Sequence, residues 1–579
     1  MIDVKRFDKN MSKYPLNPQN INQCLVSGVF EEDVNVGGQV VNTGGACREI
    51  VGGEKMSFIT YLTENLEYDS NCLVVAPPSD CDALDFLEHS GIKDFTDRNK
   101  IFLHILKPFS GWQLDGKDAE YMNAVYIQIQ ARDFYVTMQD NIYALSIGDG
   151  ATVATQAVMK STSEWSGLDA VGNLDSRSVM LNSSVSAGSG GRINELVISG
   201  EKCPLPVWLA TEAEYRAACM FTEYWKKQNN CRELCFSGEG ADEIFAPSPI
   251  SFSSRINSEN IAQVRLTLGV KEFSIKLFEK MWKYIGAAHR HRSFGLKDLR
   301  YYRNPADRGA VKREIVHNGI TRIWYELVPE KAKGKLPVVV CLHGRGNSAQ
   351  AFFDISGIYA TAQERGFIAV VPQAGAYQQK PPLGIKNVLL WDFPGTDSSE
   401  YDNIGFIRRM IDDVKSRHDV DEDRIFCCGQ SSGGMMSAKL AVCCPDIFTA
   451  CAPWSGVFEP EMAEACSSNP APVFIMRGEK DTMGDFSQPS PFPFQAGDSY
   501  IKFINYYIDR YSLDPSPLEY VNGIYHFYEF VNKENIPMLT YVQVADMPHA
   551  NVPEQTWISW DAFFAYWSGK YGNLKFKGK

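Results

Sequence analysis

The sequence has no uncharged apolar run of about 18 residues, the length a helix needs to cross a bilayer. Its opening stretch, MIDVKRFDKNMSKYPLN, lacks the apolar centre of a secretory signal. Neither membrane spanning nor export is expected. An excess of positive charge is also missing. Against 70 Asp plus Glu stand 57 Lys plus Arg, a formal charge of −13, so nothing draws the chain generally to nucleic acid or anionic lipid. No CxxC is matched by a second CxxC or by an HxxxH, which removes the usual zinc frameworks. The 15 cysteines are odd in number and sit in apolar stretches such as IFCCG and AVCCP. They suit buried reduced thiols better than a disulfide framework, and so a cytoplasmic location.

What is present is core-forming. Of the 579 residues 44% are hydrophobic and 12% aromatic, with 22% charged, a composition that folds rather than stays disordered. One core rarely grows past about 250 to 300 residues, so at least two domains are expected. From Lys335 onward PVVVCLH, FIAVVPQ, RIFCCG, FTACAPWSG, APVFIMRG and MLTYVQVAD read as short strands, each ending at a Gly, Pro or polar turn. IGFIRRMIDDVKSRH and SGGMMSAKLAVCC between them carry helical spacing. Upstream, VKREIVHNG and TRIWYELVP predict a hairpin about His317-Asn318-Gly319. The class is α/β, with mostly parallel sheets covered by helices on both faces.

The first half repeats this rhythm. One constant offset takes Ile142 to Ile425, Gly148 to Ser431 and Gly150 to Gly433. A second block sets PVWLATEAEY from Pro206 beside PVFIMRGEKD from Pro472, and a third sets Cys72 to Pro78 beside Val338 to Gly344. The blocks keep their order, which points to a duplicated unit. The expected boundaries are residues 1–250 for the first domain, 251–307 for a helical connector and 308–579 for the second.

Gly429-Gln430-Ser431-Ser432-Gly433 is a GxSxG between a predicted strand and a predicted helix, the setting of a nucleophile elbow. There Ser431 is the nucleophile, and the Ser432 N–H faces a developing oxyanion at a helix N-terminus. In this fold the triad runs Ser, acid, His along the chain. Of nine histidines only His526 and His549 follow Ser431. His526 lies inside the alternating run IYHFYEF, whereas His549 sits in a loop after a strand, where a base can reach over the sheet edge. The acid should follow APVFIMRG, and Asp481 is best placed to hold the His549 tautomer, with Asp485 and Glu479 as rivals. Leu342-His343-Gly344-Arg345-Gly346 supplies the second oxyanion donor, with the Arg345 N–H first choice and His343 structural. Trp391, Trp454 and Phe492, in the Pro- and Phe-rich FSQPSPFPF, are candidate walls for an apolar or aromatic acyl group.

HGRGN, LLWDF, DNIGFIRRMIDDV, DEDRIFCCGQSSGGMMS, Asp481 and His549 together resemble the feruloyl esterase and polyhydroxybutyrate depolymerase-like branch of the α/β hydrolases, over about residues 310 to 570. The resemblance implies a fold of two tandem α/β-hydrolase-like domains. It also implies ester hydrolysis through an acyl-enzyme, without metal or organic cofactor, on a small or oligomeric ester; homo-oligomerisation is left open. Family members are often secreted and single-domain, unlike what is expected here. The first half matches such a hydrolase with its chemistry removed: Gly148 stands at the nucleophile, Pro77 and Pro78 at the oxyanion loop, and Tyr215 at the acid. Ser237 to Phe245, SGEGADEIF, resembles a segment of asparagine synthetases, but no SGGxDS pyrophosphate loop precedes it.

Overall fold

Runs such as Cys72–Ala76 and Leu336–Leu342 are buried at every residue, as strands covered on both faces must be. The computed structural model describes residues 2–7, 16–17, 19–24, 26–44, 47–64, 66–67, 70–130, 141–162, 164–174, 187–188, 195–196, 204–212, 216–247, 262–293, 296–301, 304–331, 333–379, 386–391, 401–459, 469–552, 554–570 and 572–578. One unit comprises Met1–Asn17, Asn22–Tyr302 and Gln379–Asn387; the other comprises Pro18–Ile21, Arg303–Gln378 and Val388–Lys579.

The first unit is built on an 11-stranded sheet of β1 (Val4–Arg6), β2 (Gly28–Val36), β3 (Glu54–Leu62), β4 (Cys72–Ala76), β5 (Phe102–Leu106), β6 (Ile142–Ile147), β7 (Gly167–Val171), β8 (Val207–Thr211), β9 (Cys231–Gly238), β10 (Ala241–Pro247) and β11 (Val264–Leu268). Their spatial order is β1-β2-β3-β5-β4-β6-β7-β8-β11-β10-β9. Side chains alternate between its faces. Cys72, Val74 and Ala76 join the core under helix α1 (Ala151–Lys160), while Leu73 and Val75 join Phe278, Met281 and Ile285 of helix α2 (Ile275–Ile285).

The second unit has a 10-stranded sheet of β12 (Val311–His317), β13 (Ile320–Leu327), β14 (Leu336–Leu342), β15 (Ile368–Pro372), β16 (Val420–Gln430), β17 (Ala450–Trp454), β18 (Val473–Gly478), β19 (Leu518–Asn522), β20 (Tyr525–Val531) and β21 (Pro537–Val544). Its order, β12-β13-β15-β14-β16-β17-β18-β21-β20-β19, repeats that of β2 to β11 strand for strand, with the same parallel and antiparallel neighbours. The register repeats as well. Ala76 lies opposite Ser146 as Leu342 lies opposite Gly429, and Val171 lies opposite Ala210 as Trp454 lies opposite Met476. A one-residue slip would turn every side chain to the wrong face, so matched register across four strands marks the same α/β framework twice. The hairpin about Asn318-Gly319 forms as its sequence dictates. His317 pairs Ile320, and both turn residues have positive φ, as a two-residue hairpin loop requires.

The expected helical connector over 251–307 is corrected by this topology. Val264 and Leu266 are buried in β11, which lies between β8 and β10, and α2 covers the same sheet. Ala288–Ser293 and Leu296–Tyr301 then form an antiparallel hairpin, also in the first unit. The run VRLTL is too short to stand out by periodicity, yet without it the first sheet would lack the counterpart of β21. No described helix is long and apolar enough to cross a membrane.

Candidate active site of the second unit

At the end of β16 the chain turns through Ser431, held at φ 54°, ψ −115°, before helix α3 (Ser432–Cys443) begins. A serine in this region is strained, and such strain persists only where the surroundings enforce it. Here two close backbone approaches do so. A Cβ on Gly433 would stand 2.2 Å from the Leu342 carbonyl oxygen, and one on Gly456 would stand 2.2 Å from the Ser431 carbonyl oxygen. β14, the elbow and the segment after β17 are thus pressed together by backbone, and the Ser431 hydroxyl is lifted clear of the sheet edge.

The loops after β18 and β21 deliver the other two groups. His549 Nε2 lies 2.9 Å from Ser431 Oγ, and His549 Nδ1 lies 3.0 Å from Asp481 Oδ2. The Met483 N–H donates to Asp481 Oδ1 at 3.0 Å, and the Arg477 guanidinium stands 3.7 Å from Asp481 Oδ2. Asp481 is 4% exposed. Burial pushes its carboxyl upward, but the hydrogen bond and charge of His549, the Arg477 cation and the Met483 N–H together outweigh that, so it lies below the usual carboxylate range. An ionised Asp481 accepts a hydrogen bond from the Nδ1–H and leaves Nε2 free to take a proton from Ser431, the arrangement a general base requires.

The rival residues lie elsewhere. Glu479 accepts from the Asp546 N–H at 2.9 Å, Asp485 is exposed, and His526 on β20 bonds the Tyr528 hydroxyl at 3.1 Å. His343 is buried. Its Nε2 accepts the Ala374 N–H at 3.0 Å and its Nδ1 meets the Gly344 carbonyl at 2.8 Å. Burial above all holds its imidazole down to about 4, so it is neutral and structural.

Ser432 begins α3, and the turn bearing Arg345 passes beside the elbow: a Cβ on Gly344 would meet the Gln430 side chain at 2.3 Å. The first unit carries the equivalent turn. Ser79 and Arg345 are each the third residue beyond equivalent strands β4 and β14, as Asp149 and Ser432 are each the second beyond β6 and β16. The Ser79 N–H donates to Asp149 Oδ1 at 2.8 Å. A carboxylate oxygen thus accepts, in the first unit, from the N–H at the position equivalent to Arg345.

Two of the expected substrate walls are corrected. Trp391 and Trp454 are wholly buried, with indole N–H groups committed to the His343 carbonyl at 3.0 Å and to Ser559 Oγ at 3.0 Å. Both are braces, because a strand-end tryptophan satisfies its N–H inside the core when a partner lies within reach. The Trp391 brace has a twin: Trp112 donates to the Pro77 carbonyl at 2.8 Å, the same place in the first unit. Phe492 is half-buried, stacked on Phe494 at 5.5 Å and edge-on to Phe530 at 5.4 Å, and packs on the outer hairpin. The apolar side chains exposed beside the acid are Met483 and Phe486, at 41% and 42%. Phe486 opens the Pro- and Phe-rich run FSQPSPFPF, whereas the only sequence signal of Met483 is its place just after Asp481. Trp391→Phe is expected to destabilise the protein by about 1–3 kcal/mol through the orphaned carbonyl, with relative rates on different esters unchanged. Urea unfolding and an ester panel check this, and a changed acyl preference would restore Trp391 as a wall.

Among the described residues, metal-ligating side chains cluster only at Asp85, Glu88 and His89, exposed on a short helix of the first unit.

The second unit has the sheet order of an α/β-hydrolase-like fold, and its strand-to-helix elbow carries Ser431 within reach of His549, itself within reach of Asp481. Residues 323–483 match the family model described as Esterase PHB depolymerase. The chain is 32% identical to feruloyl esterase B of Thermothelomyces thermophilus over 137 residues, 23% of this chain and 43% of that one. It is 30% identical to the putative esterase NocK of Nocardia uniformis subsp. tsuyamanensis over 196 residues, 32% and 53% of the two chains. The chain spans about half the length of these curated relatives. Among solved structures, acetyl xylan esterase from Aspergillus awamori is similar at 15% identity and a TM-score of 0.32, over 44% of this chain and 99% of that one.

Proposed function

We propose that the protein is a serine carboxylic-ester hydrolase that works through an acyl-enzyme, with Ser431 as nucleophile, His549 as general base and Asp481 as its orienting acid. The observation that carries this is the unbroken series Asp481–His549–Ser431, with spacings of 3.0 and 2.9 Å, ending on a serine at positive φ. Ser431 Oγ attacks the ester carbonyl as His549 Nε2 takes its proton, and the oxyanion settles on the Ser432 and Arg345 N–H groups. His549 then protonates the leaving alcohol, and water reverses the sequence. The substrates proposed are aromatic, feruloyl- or cinnamoyl-type, or short acyl esters, supported by the feruloyl esterase relative and the exposed Met483 and Phe486. No step calls for a metal or organic cofactor. A panel of feruloyl esters, short nitrophenyl esters, hydroxybutyrate oligomers and peptide amides tests the reading. Turnover of the oligomers alone would replace it with polyester depolymerisation, turnover of amides alone with a peptidase, and no turnover with a binding scaffold. Buried thiols at Cys341, Cys427, Cys428 and Cys451 support a cytoplasmic setting.

The first unit is proposed as a non-catalytic partner. Its elbow keeps its shape: Gly148 has φ 64°, a Cβ on Gly150 would stand 2.6 Å from the Pro77 carbonyl oxygen, and one on Gly172 would stand 2.4 Å from that of Gly148. The chemistry is missing from it. The segment after β11, GVKEFS, has no histidine, and Asp149 fills the oxyanion side. Tyr215, at the acid position, lies outside the described residues. Gly148→Ser in a Ser431→Ala background is therefore expected to show no activity above the Ser431→Ala enzyme in the same ester assay. Measurable turnover by this double variant would end the reading.

A further inference from the structure

Arg477 is out of character for its position. It is the last residue but one of β18, a buried parallel strand where aliphatic side chains are usual, yet it is 2% exposed. Its Nη2 donates to two carbonyls of the acid loop, Asp481 at 2.7 Å and Met483 at 2.8 Å, and Nε faces Asp481 Oδ2 at 3.7 Å. Aromatic rings close the remaining sides. The guanidinium carbon lies 4.3 Å from the Tyr500 ring centre and 5.1 Å from that of Phe486. A buried cation is costly unless its geometry is used, and this one fixes both carbonyls that set the direction of the acid loop.

The duplicated unit supplies an independent comparison. Arg477 lies opposite Gln543 as Thr211 lies opposite Leu268. Thr211 is neutral, and Tyr215 stands where Asp481 should be. The cation and the acid are thus absent together in the unit without a triad, as expected if the arginine serves the acid rather than the sheet.

We propose that Arg477 is a positioning residue of the esterase site: its Nη2 holds the acid loop by the Asp481 and Met483 carbonyls, and its charge beside the Asp481 carboxylate tunes the Asp481–His549 pair. This rests on the triad reading above. The groups facing Arg477 are Asp481 on its loop, Tyr500 on the helix Asp498–Tyr511 and Tyr541 on β21, with His549 beyond Asp481. Burial pushes both tyrosine hydroxyls upward, so they stay neutral through the working pH range. Arg477 is then the fixed positive charge beside the pair, and it disfavours an added proton on either member. Removing it must raise the proton affinity of the pair, whichever atom holds the proton.

The test is the pH dependence of kcat/KM on a short nitrophenyl ester for wild type, Arg477→Met, Arg477→Gln and Arg477→Lys. The acid limb reports loss of the base as the pair protonates. Arg477→Met, lacking both fork and charge, is expected to lose roughly 10–100-fold in kcat with little change in KM, and to move its acid limb about one pH unit upward. Arg477→Gln should move the limb similarly. Arg477→Lys keeps the charge, so it should hold the limb near the wild-type position while still losing kcat. If Arg477→Met does not fold, the Gln and Lys variants still separate charge from fork. Equal losses at every pH in all folded variants, with no limb displaced, would show a structural brace and overturn the proposal. Fluorophosphonate labelling of Ser431 and the activity of Ser431→Ala are measured in parallel. If Ser431 is not labelled, or Ser431→Ala still turns over, the triad reading fails whatever Arg477 does. If both controls behave as expected but the limb stays fixed, only the role of Arg477 falls.

Discussion

Ser431→Ala is expected to lower kcat by roughly 10⁶-fold while the thermal unfolding transition stays intact. The substitution removes one hydroxyl from a turn held by backbone contacts at Gly433 and Gly456, none of which involves that hydroxyl. His549→Ala should be nearly as damaging, because the serine at neutral pH is a weak nucleophile without a base 2.9 Å away. The double variant should be little worse than either single one, since the first loss removes the step in which the second residue acts. Ester hydrolysis and fluorophosphonate labelling check all three. Losses that multiplied in the double variant would mean that Ser431 and His549 do not act as one unit.

Asp481→Asn is expected to cost roughly 10⁴-fold, severe but milder than the loss of the serine. An amide next to His549 Nδ1 can present an N–H where an acceptor is needed, which favours the wrong tautomer, yet the nucleophile and the oxyanion donors remain. Unchanged activity would move the acid to Asp485 or Glu479. The same substitution has a pH signature in stability. Asp481 ionises below its unfolded value in the folded protein, so its contribution is fully present above the unfolded carboxylate range and is lost as pH falls through the folded value. The stability gap between wild type and Asp481→Asn should therefore narrow on acidification, as followed by urea unfolding between about pH 7 and pH 3.

The sequence alone allows the second unit to be read closely, because its signals are local. Each parallel strand contains a short apolar run, the elbow is a glycine-flanked serine, and histidine is so scarce that only two candidates follow Ser431. The structure places Ser431, His549 and Asp481 within hydrogen-bonding distance. What escaped sequence reading is set by partners distant along the chain. A strand-end tryptophan looks the same whether it lines a cleft or donates inward, and only the His343 carbonyl and Ser559 decide that for Trp391 and Trp454. Arg477 reads as an ordinary charged residue at a strand end until its contacts with the acid loop are known. β11 leaves little trace in the sequence because five residues carry too little periodicity, although its place between β8 and β10 completes the sheet. The asparagine synthetase-like SGEGADEIF falls across β9, its turn and β10, the hairpin equivalent to β19 and β20. Gly238 ends β9 and Gly240 lies in the turn.

Ser431 and Gly148 occupy the same turn of the same framework, at φ 54° and 64°. Glycine rests there without penalty, whereas a side chain is strained by about 1–3 kcal/mol. The chain thus contains one elbow relaxed and one under load, and the difference runs in a single direction. A copy released from catalysis moves toward glycine with folding stability behind it, while any return to serine is uphill and must be made against the Pro78 ring, 3.3 Å from where the new Cβ would stand. On the reading proposed here, inactivity in the first unit is self-locking at this one turn: the glycine that removes the nucleophile also relieves the strain, so folding stability does not favour its return.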